Sequence, residues 1–305
     1  MERNKLIILL ALLCLAAVSA FLVKGFALSL LYMILIYVIL AESWNILGGY
    51  AGQICLGIGA FFGVGGYAAA MLSINGLPVA LSVIIGGFVA VLLGLILTPT
   101  FKLRGVYFAI GTFFLPEIMK VLILNLKETG GAKGLFLPFS LMVNPAYLYL
   151  SSLLLAALTI AITYKISNSR IGLVFKAIRE DEEAAECCGI NPLKFKLLAL
   201  VLCAFLSGIA GGIHAHYLLF LDPHATFNIM WSISPVFMSI IGGVGTISGP
   251  IIGAGLFTLL RYWITTLVGE IDLIVMGSAL IAVVILMPEG IVGVIKKRGV
   301  LSWLS

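Results

Sequence analysis

Charge is what this chain has least of. Only 10% of its 305 residues are Asp, Glu, Lys or Arg, where a soluble domain carries about 25%. So few ionic side chains cannot cover a water-facing surface, which excludes a soluble globular protein. Histidine is scarcer still, with three copies, and no His-Glu-x-x-His string occurs. His214 and His216 lie two apart and point to different faces of a helix, so no shared metal is implied. Gly-x-x-x-x-Gly-Lys-Ser/Thr is missing too, and with it that route to binding ATP phosphates. The five cysteines (Cys14, Cys55, Cys187, Cys188 and Cys203) show no metal-ligand spacing. Neighbouring cysteines rarely bridge each other, and all five read as reduced thiols. No cofactor, metal or nucleic acid is implied. Without a catalytic constellation the chain reads as a conduit, not an enzyme.

What is abundant is apolar. Hydrophobic residues make up 62% of the chain, and the mean hydropathy is +1.21. The bilayer is therefore the solvent, and a backbone in lipid must satisfy its own hydrogen bonds, which selects helices. The expected fold is an all-α polytopic membrane protein, one transmembrane domain over 1–305. Ten segments are expected, at roughly 6–23, 26–47, 54–72, 78–100, 105–124, 146–164, 197–220, 228–241, 250–268 and 271–287. The first is too long for a signal-peptide core and is read as an uncleaved helix. The eighth, interrupted by Pro235 and Gly242-Gly243-Val244-Gly245, fits a bent helix, a re-entrant segment or a tilted short helix.

Alternating the loops of ten spans sorts the basic residues. Arg3, Lys5, Lys102, Arg104, Lys165, Arg170, Lys176, Arg179, Lys194, Lys196, Lys296, Lys297 and Arg298 fall on one side, and only Lys24, Lys127 and Lys133 on the other. The positive-inside rule makes the first side cytoplasmic and places both termini there. The inner loop, about 165–196, holds the densest charge, and no loop is long enough for a second domain.

Polar residues inside the spans tend to face cavities or partners. Gln53, Glu117, Lys120 and Arg261 are the candidates for a pathway or an intramembrane polar contact. Glu117 and Lys120, at i and i+3, can pair on one helix face, and Pro116 before them leaves a carbonyl free and a kink. Glu42 and Arg261 read best as reaching toward an interface. Gly59 and Gly63, Gly208 and Gly212, and Gly249 and Gly253 are small-xxx-small pairs that let helices approach closely.

In the inner loop, 174–188 has a helical pattern, which Gly189 and Pro192 stop. Ile178, Ala184, Ala185 and Ile190 give it apolar contacts. A solvated connector and a docking element for a soluble partner both fit. Glu183-Ala184-Ala185 followed by Gly189 resembles the EAA motif of bacterial ABC-importer permeases. The longer string Arg179-Glu180-Asp181-Glu182-Glu183-Ala184-Ala185-Glu186, then Gly189-Ile190-Asn191, is similar to the LivM-type permeases of branched-chain amino-acid importers. Four further stretches agree: Gly49 to Gly57, Leu103 to Ile110, Thr129 to Gly134 and Ile241 to Pro250. Cys55 stands where the family usually has serine, Glu42 where it has an apolar residue, and Lys120 where it has arginine.

The resemblance implies a ten-helix permease half in a prokaryotic plasma membrane. Its implied partners are a homologous second permease, two cytoplasmic ATPase subunits and an extracytoplasmic solute-binding protein. Coupling to the ATPases would fall to Arg170, Gly172, Arg179, Glu180, Asp181, Glu183, Ala184, Ala185, Gly189 and Asn191. The solute, a branched-chain amino acid, comes from the resemblance alone. Urea, amides or another small polar solute would suit the same architecture. A polytopic enzyme would need a cluster of His, Asp or Ser at one depth, and a secondary transporter would need no ATPase. Similarity of 48–60 to 242–254 points to an internal repeat, which many transporters have.

Overall fold

The computed structural model describes residues 23, 25–103, 105–268, 277–278 and 290–297. The first and tenth expected segments lie outside the described residues, apart from Val23 and 277–278, as do Lys24, Arg104 and Arg298. The chain is helical almost throughout. Helix α1 (Phe26–Trp44) runs into a π-helical turn (Asn45–Tyr50). Then come α2 (Ile58–Ile74), α3 (Val79–Ile96), α4 (Val106–Phe113), α5 (Leu115–Asn125) and α6 (Pro145–Ser167). The inner loop holds α7 (Arg170–Glu180) and α8 (Glu182–Cys187). Beyond it are α9 (Pro192–Leu218), the short α10 (Pro223–Thr226), α11 (Met230–Gly242), α12 (Ser248–Val268) and α13 (Gly290–Lys297).

Six of these stretches are long and apolar enough to cross a membrane: Phe26–Tyr50, Val79–Ile96, Val106–Asn125, Pro145–Ser167, Pro192–Leu218 and Pro223–Gly242. Ile58–Ile74 is apolar but shorter. Helix α12, at 21 residues, reaches about 30 Å, the thickness of the hydrocarbon core. Eight of the ten expected segments thus coincide with described helices. The fifth is broken at Phe114, just ahead of Pro116, as a residue lacking an amide hydrogen requires. The eighth is a 13-residue helix with Pro235 inside it, preceded by the short α10.

Local chemistry sets the helix starts. Asn144 and Asn191 cap α6 and α9, their side chains accepting from the amides of Ala146 at 3.0 Å and Lys194 at 3.2 Å. In both helices proline takes the first position, where no amide hydrogen is needed.

Helices α2, α3 and α9 pack most closely together, while α1 is enclosed by α6, α9, α11 and α12. Helices α2 and α9 approach at Gly65 and Gly208, where a Cβ on Gly65 would run into the Gly208 backbone. Lipid gives no hydrophobic drive for helices to meet, so close backbone packing of this kind holds them. The α4–α5 span is the least buried of the six, with Val106, Tyr107, Ile110, Ile118 and Val121 exposed.

The connections gather at two levels. The π turn, the turn after α11 and α7 touch one another, through contacts described below. At the other level, β1 (Leu135–Phe136) pairs antiparallel with β2 (Phe220–Leu221), Leu135 opposite Leu221. Tyr67 joins them by donating to the Leu221 carbonyl at 3.0 Å. This grouping is the one that alternation along the chain requires.

Candidate coupling site and membrane polar groups

The inner loop folds as two helices, where one over 174–188 was expected. Asp181 causes the break. Its backbone is extended, and its Oδ1 accepts from the amides of Glu183 and Ala184, both at 3.0 Å, so it ends α7 and caps α8. Ser169 caps α7 in the same way, accepting from the Gly172 amide at 3.4 Å. Gly189 follows α8 with φ +82, the left-handed conformation that turns the chain toward α9. Asn191 is the α9 cap already described.

Helix α7 is amphipathic. Gly172, Phe175 and Ile178, spaced by three, are buried against the membrane helices, whereas Arg170 at the first position is exposed. Phe175, fully buried, was missed in the sequence although its spacing from Ile178 signals it. In α8, Ala185 is buried and Ala184 is exposed. Glu180 is exposed as well and pairs with Arg179 at 3.0 Å. Lys196, at the base of α9, is buried and holds Glu182 at 2.6 Å, tying α8 down.

Arg179 links this hairpin to the membrane domain. Its Nη1 donates to the Gly49 carbonyl of the π turn at 2.8 Å. The stem crosses Gly52 so closely that a Cβ there would lie 2.6 Å from the Arg179 Cγ. Gly52 also has φ +72, so glycine is required on both counts. The π turn is in turn bonded to the turn after α11. The Asn45 side chain donates to the Thr246 carbonyl and accepts from the Gly245 amide, each at 2.8 Å. The two segments that resemble each other in sequence, 48–60 and 242–254, therefore begin side by side, bridged by Asn45 and topped by Arg179. Gln53 is buried within the first of them.

The other polar candidates are scattered. Lys120 and Glu117 pair at 2.5 Å on α5, with Lys120 20% and Glu117 45% exposed. Ile118, Val121 and Leu122 of the same helix are exposed apolar residues. Arg261 turns inward and donates to the Tyr37 hydroxyl at 3.0 Å. Glu42 is fully buried in α1, so it does not reach for an interface, and neither of its oxygens has a hydrogen-bond partner among the described residues. The polar groups beside it are Asn45 and Thr163. Asn45 is occupied as above, and Thr163 donates to the Thr159 carbonyl at 3.1 Å. His216 is held between Ser73 and the Gly212 carbonyl at 2.9 and 2.8 Å. His214 Nδ1 and the Tyr32 hydroxyl share a hydrogen bond at 3.3 Å. The two histidines thus serve separate contacts.

Membrane-length helices, with an exposed amphipathic hairpin bonded into the turns between them, define a polytopic helical membrane protein. The sequence profile described as the branched-chain amino acid transport system permease component matches residues 26–284. The chain belongs to that family. It is 29% identical to the high-affinity branched-chain amino acid transport system permease protein LivM of Escherichia coli K12, over 95% of this chain and 75% of that one. The Salmonella typhimurium LivM is 28% identical over the same shares. A probable permease protein LivH of Methanocaldococcus jannaschii is 29% identical over 53% of each chain. No solved structure gives a significant match.

Proposed function

We propose that this permease forms half of the membrane conduit of an ATP-driven importer of branched-chain amino acids. Its partners are a homologous second permease, two cytoplasmic ATPase subunits and an extracytoplasmic binding protein. The observation that carries the reading is the Arg179 contact. Without partners, a surface hairpin needs no charged side chain bonded into the turns where two membrane helices begin. If α7–α8 seats in an ATPase, the same residue passes displacement of the hairpin to the π turn and, through Asn45, to the turn before α12. The side that carries α7–α8 is then cytoplasmic, in keeping with its basic residues, and the β1–β2 side receives the binding protein.

Relatives that include both LivM and LivH proteins support a pair of different permeases. The outward face of α4–α5 suits the second one. It is apolar, and an ion pair left in lipid is expensive, so Glu117 and Lys120 favour a protein neighbour.

The test is Ala184→Trp. Ala184 is exposed on α8, outside the membrane-length helices, so insertion of the spans should proceed normally. Bulk there should weaken co-purification of the ATPase and lower leucine uptake and leucine-stimulated ATP hydrolysis together in reconstituted vesicles. Wild-type association and uptake would leave α7–α8 a connector and remove the coupling mechanism.

A further inference from the structure

A cavity of about 340 Å³ lies beneath the segment that joins α9 to α11. That volume is at the lower end of the range for small-molecule sites. Phe62 of α2, His214 of α9 and Trp231 of α11 line it from three different helices. Phe62 and Trp231 are stacked with centroids 4.4 Å apart, and His214 meets Trp231 edge-on at 5.1 Å. A Cβ on Gly211 would strike the Phe62 carbonyl, so the wall between α2 and α9 stays flat.

Polar groups in the lining are few, and two have unused capacity. Asp222 caps α10, its Oδ2 accepting from the Ala225 amide at 2.9 Å, while its other oxygen has no partner among the described residues. His214 meets the Tyr32 hydroxyl through Nδ1, which leaves Nε2 without a hydrogen-bond partner among those residues. Where Tyr32 donates to Nδ1, Nε2 carries the proton and is a donor. The lining therefore offers an anionic acceptor, a neutral donor and a large aromatic surface. Leu218 and Ala225 line the cavity too and are exposed, so it has a rim on the β1–β2 side.

Resting on the reading of the chain as an amino-acid permease, we propose that this cavity is a holding site for one free aliphatic α-amino acid. The ammonium group pairs with the unpartnered oxygen of Asp222. The branched side chain lies on Phe62 and Trp231, and the carboxylate takes the Nε2 hydrogen of His214. An anionic side chain would meet the electron-rich ring faces without a counter-ion, and urea would leave most of that surface uncovered. Selectivity for apolar over anionic side chains and over urea follows.

The experiment uses the full chain with its partners in native membrane vesicles and L-leucine as the probe. Ala225→Cys places a thiol on the rim, and its modification by a methanethiosulfonate is followed against the parent protein. Leucine at ten times its dissociation constant should slow modification about tenfold. Asp222→Asn keeps a cap but loses the charge, and should raise the half-protecting concentration about tenfold, as expected for one charge-assisted hydrogen bond. If Ala225→Cys fails to insert, Leu218→Cys, also on the rim, gives the same readout. Vesicles that take up leucine while showing no protection, with uptake surviving modification, would overturn the site and leave the amino-acid permease reading intact. Vesicles that take up urea or a short amide but not leucine would overturn that reading, and with it the ligand assigned here.

Discussion

Removing the Arg179 contact should uncouple the hairpin from the membrane helices without detaching it from the ATPase. The guanidinium makes one charge-assisted bond to the Gly49 carbonyl and one to Glu180. A hydrogen bond to a charged group contributes about 1.5–3 kcal/mol. Arg179 is 36% exposed, and screening by water reduces that to about 1–2 kcal/mol. In Arg179→Ala the equilibrium between latched and released hairpin should therefore shift roughly five- to thirtyfold. Arg179→Lys should recover little, because an ammonium on a flexible stem cannot fork to both acceptors. Glu180→Gln is the control. Glu180 is 74% exposed, and such pairs contribute under about 1 kcal/mol. Gly52→Ala should imitate the loss of Arg179, since its Cβ would displace the stem. The assay is leucine taken up per ATP hydrolysed in proteoliposomes holding the complete transporter. The ratio should fall in Arg179→Ala and Gly52→Ala with ATPase co-purification unchanged. A wild-type ratio in Arg179→Ala would refute the latch, and an equal fall in Glu180→Gln would mean that the surface pair carries the effect.

Glu117→Gln leaves Lys120 unpaired in the membrane, at a cost of about 2–3 kcal/mol. It should lower yield and melting temperature more than Glu117→Gln with Lys120→Met, and additive losses in the double-mutant cycle would show that the two do not interact. Glu42→Gln keeps the shape of a buried side chain whose oxygens have no bonding partner, so the melting temperature in detergent should be no lower than wild type. A loss above about 1 kcal/mol would reveal a bound cation or a donor outside the described residues. Single cysteines at Lys102, Ala132 and Lys297 in a cysteine-free background should differ toward an impermeant reagent in intact cells. Position 132 alone should react, and labelling at 297 before lysis would overturn the topology.

The sequence by itself determined the solvent, and through it the fold class. At 10% charge the backbone must be satisfied inside lipid, and only helices do that within one segment. It also placed the eight described helices that match expected segments and the Pro116 break, because hydropathy and proline act locally. The ion pair of Glu117 and Lys120 could be read for the same reason, since residues three apart on one helix are neighbours whatever surrounds them. The motif in the inner loop marked where the chain leaves the membrane pattern. That string did not reveal that Asp181 would divide the helix, because a cap and an interior acid look alike until the backbone is placed.

Only the tertiary structure decided which distant groups meet. Arg179 and Gly49 are 130 residues apart, and Asn45 and Gly245 are 200 apart. Their bonds depend on helices packed in three dimensions, and no periodicity records that. Glu42, read as reaching toward an interface, is enclosed because α1 is surrounded by four other helices. Phe62, His214 and Trp231 form one wall for the same reason. Hydropathy fixes the depth of each residue in the bilayer, but the direction each helix faces is set by its neighbours.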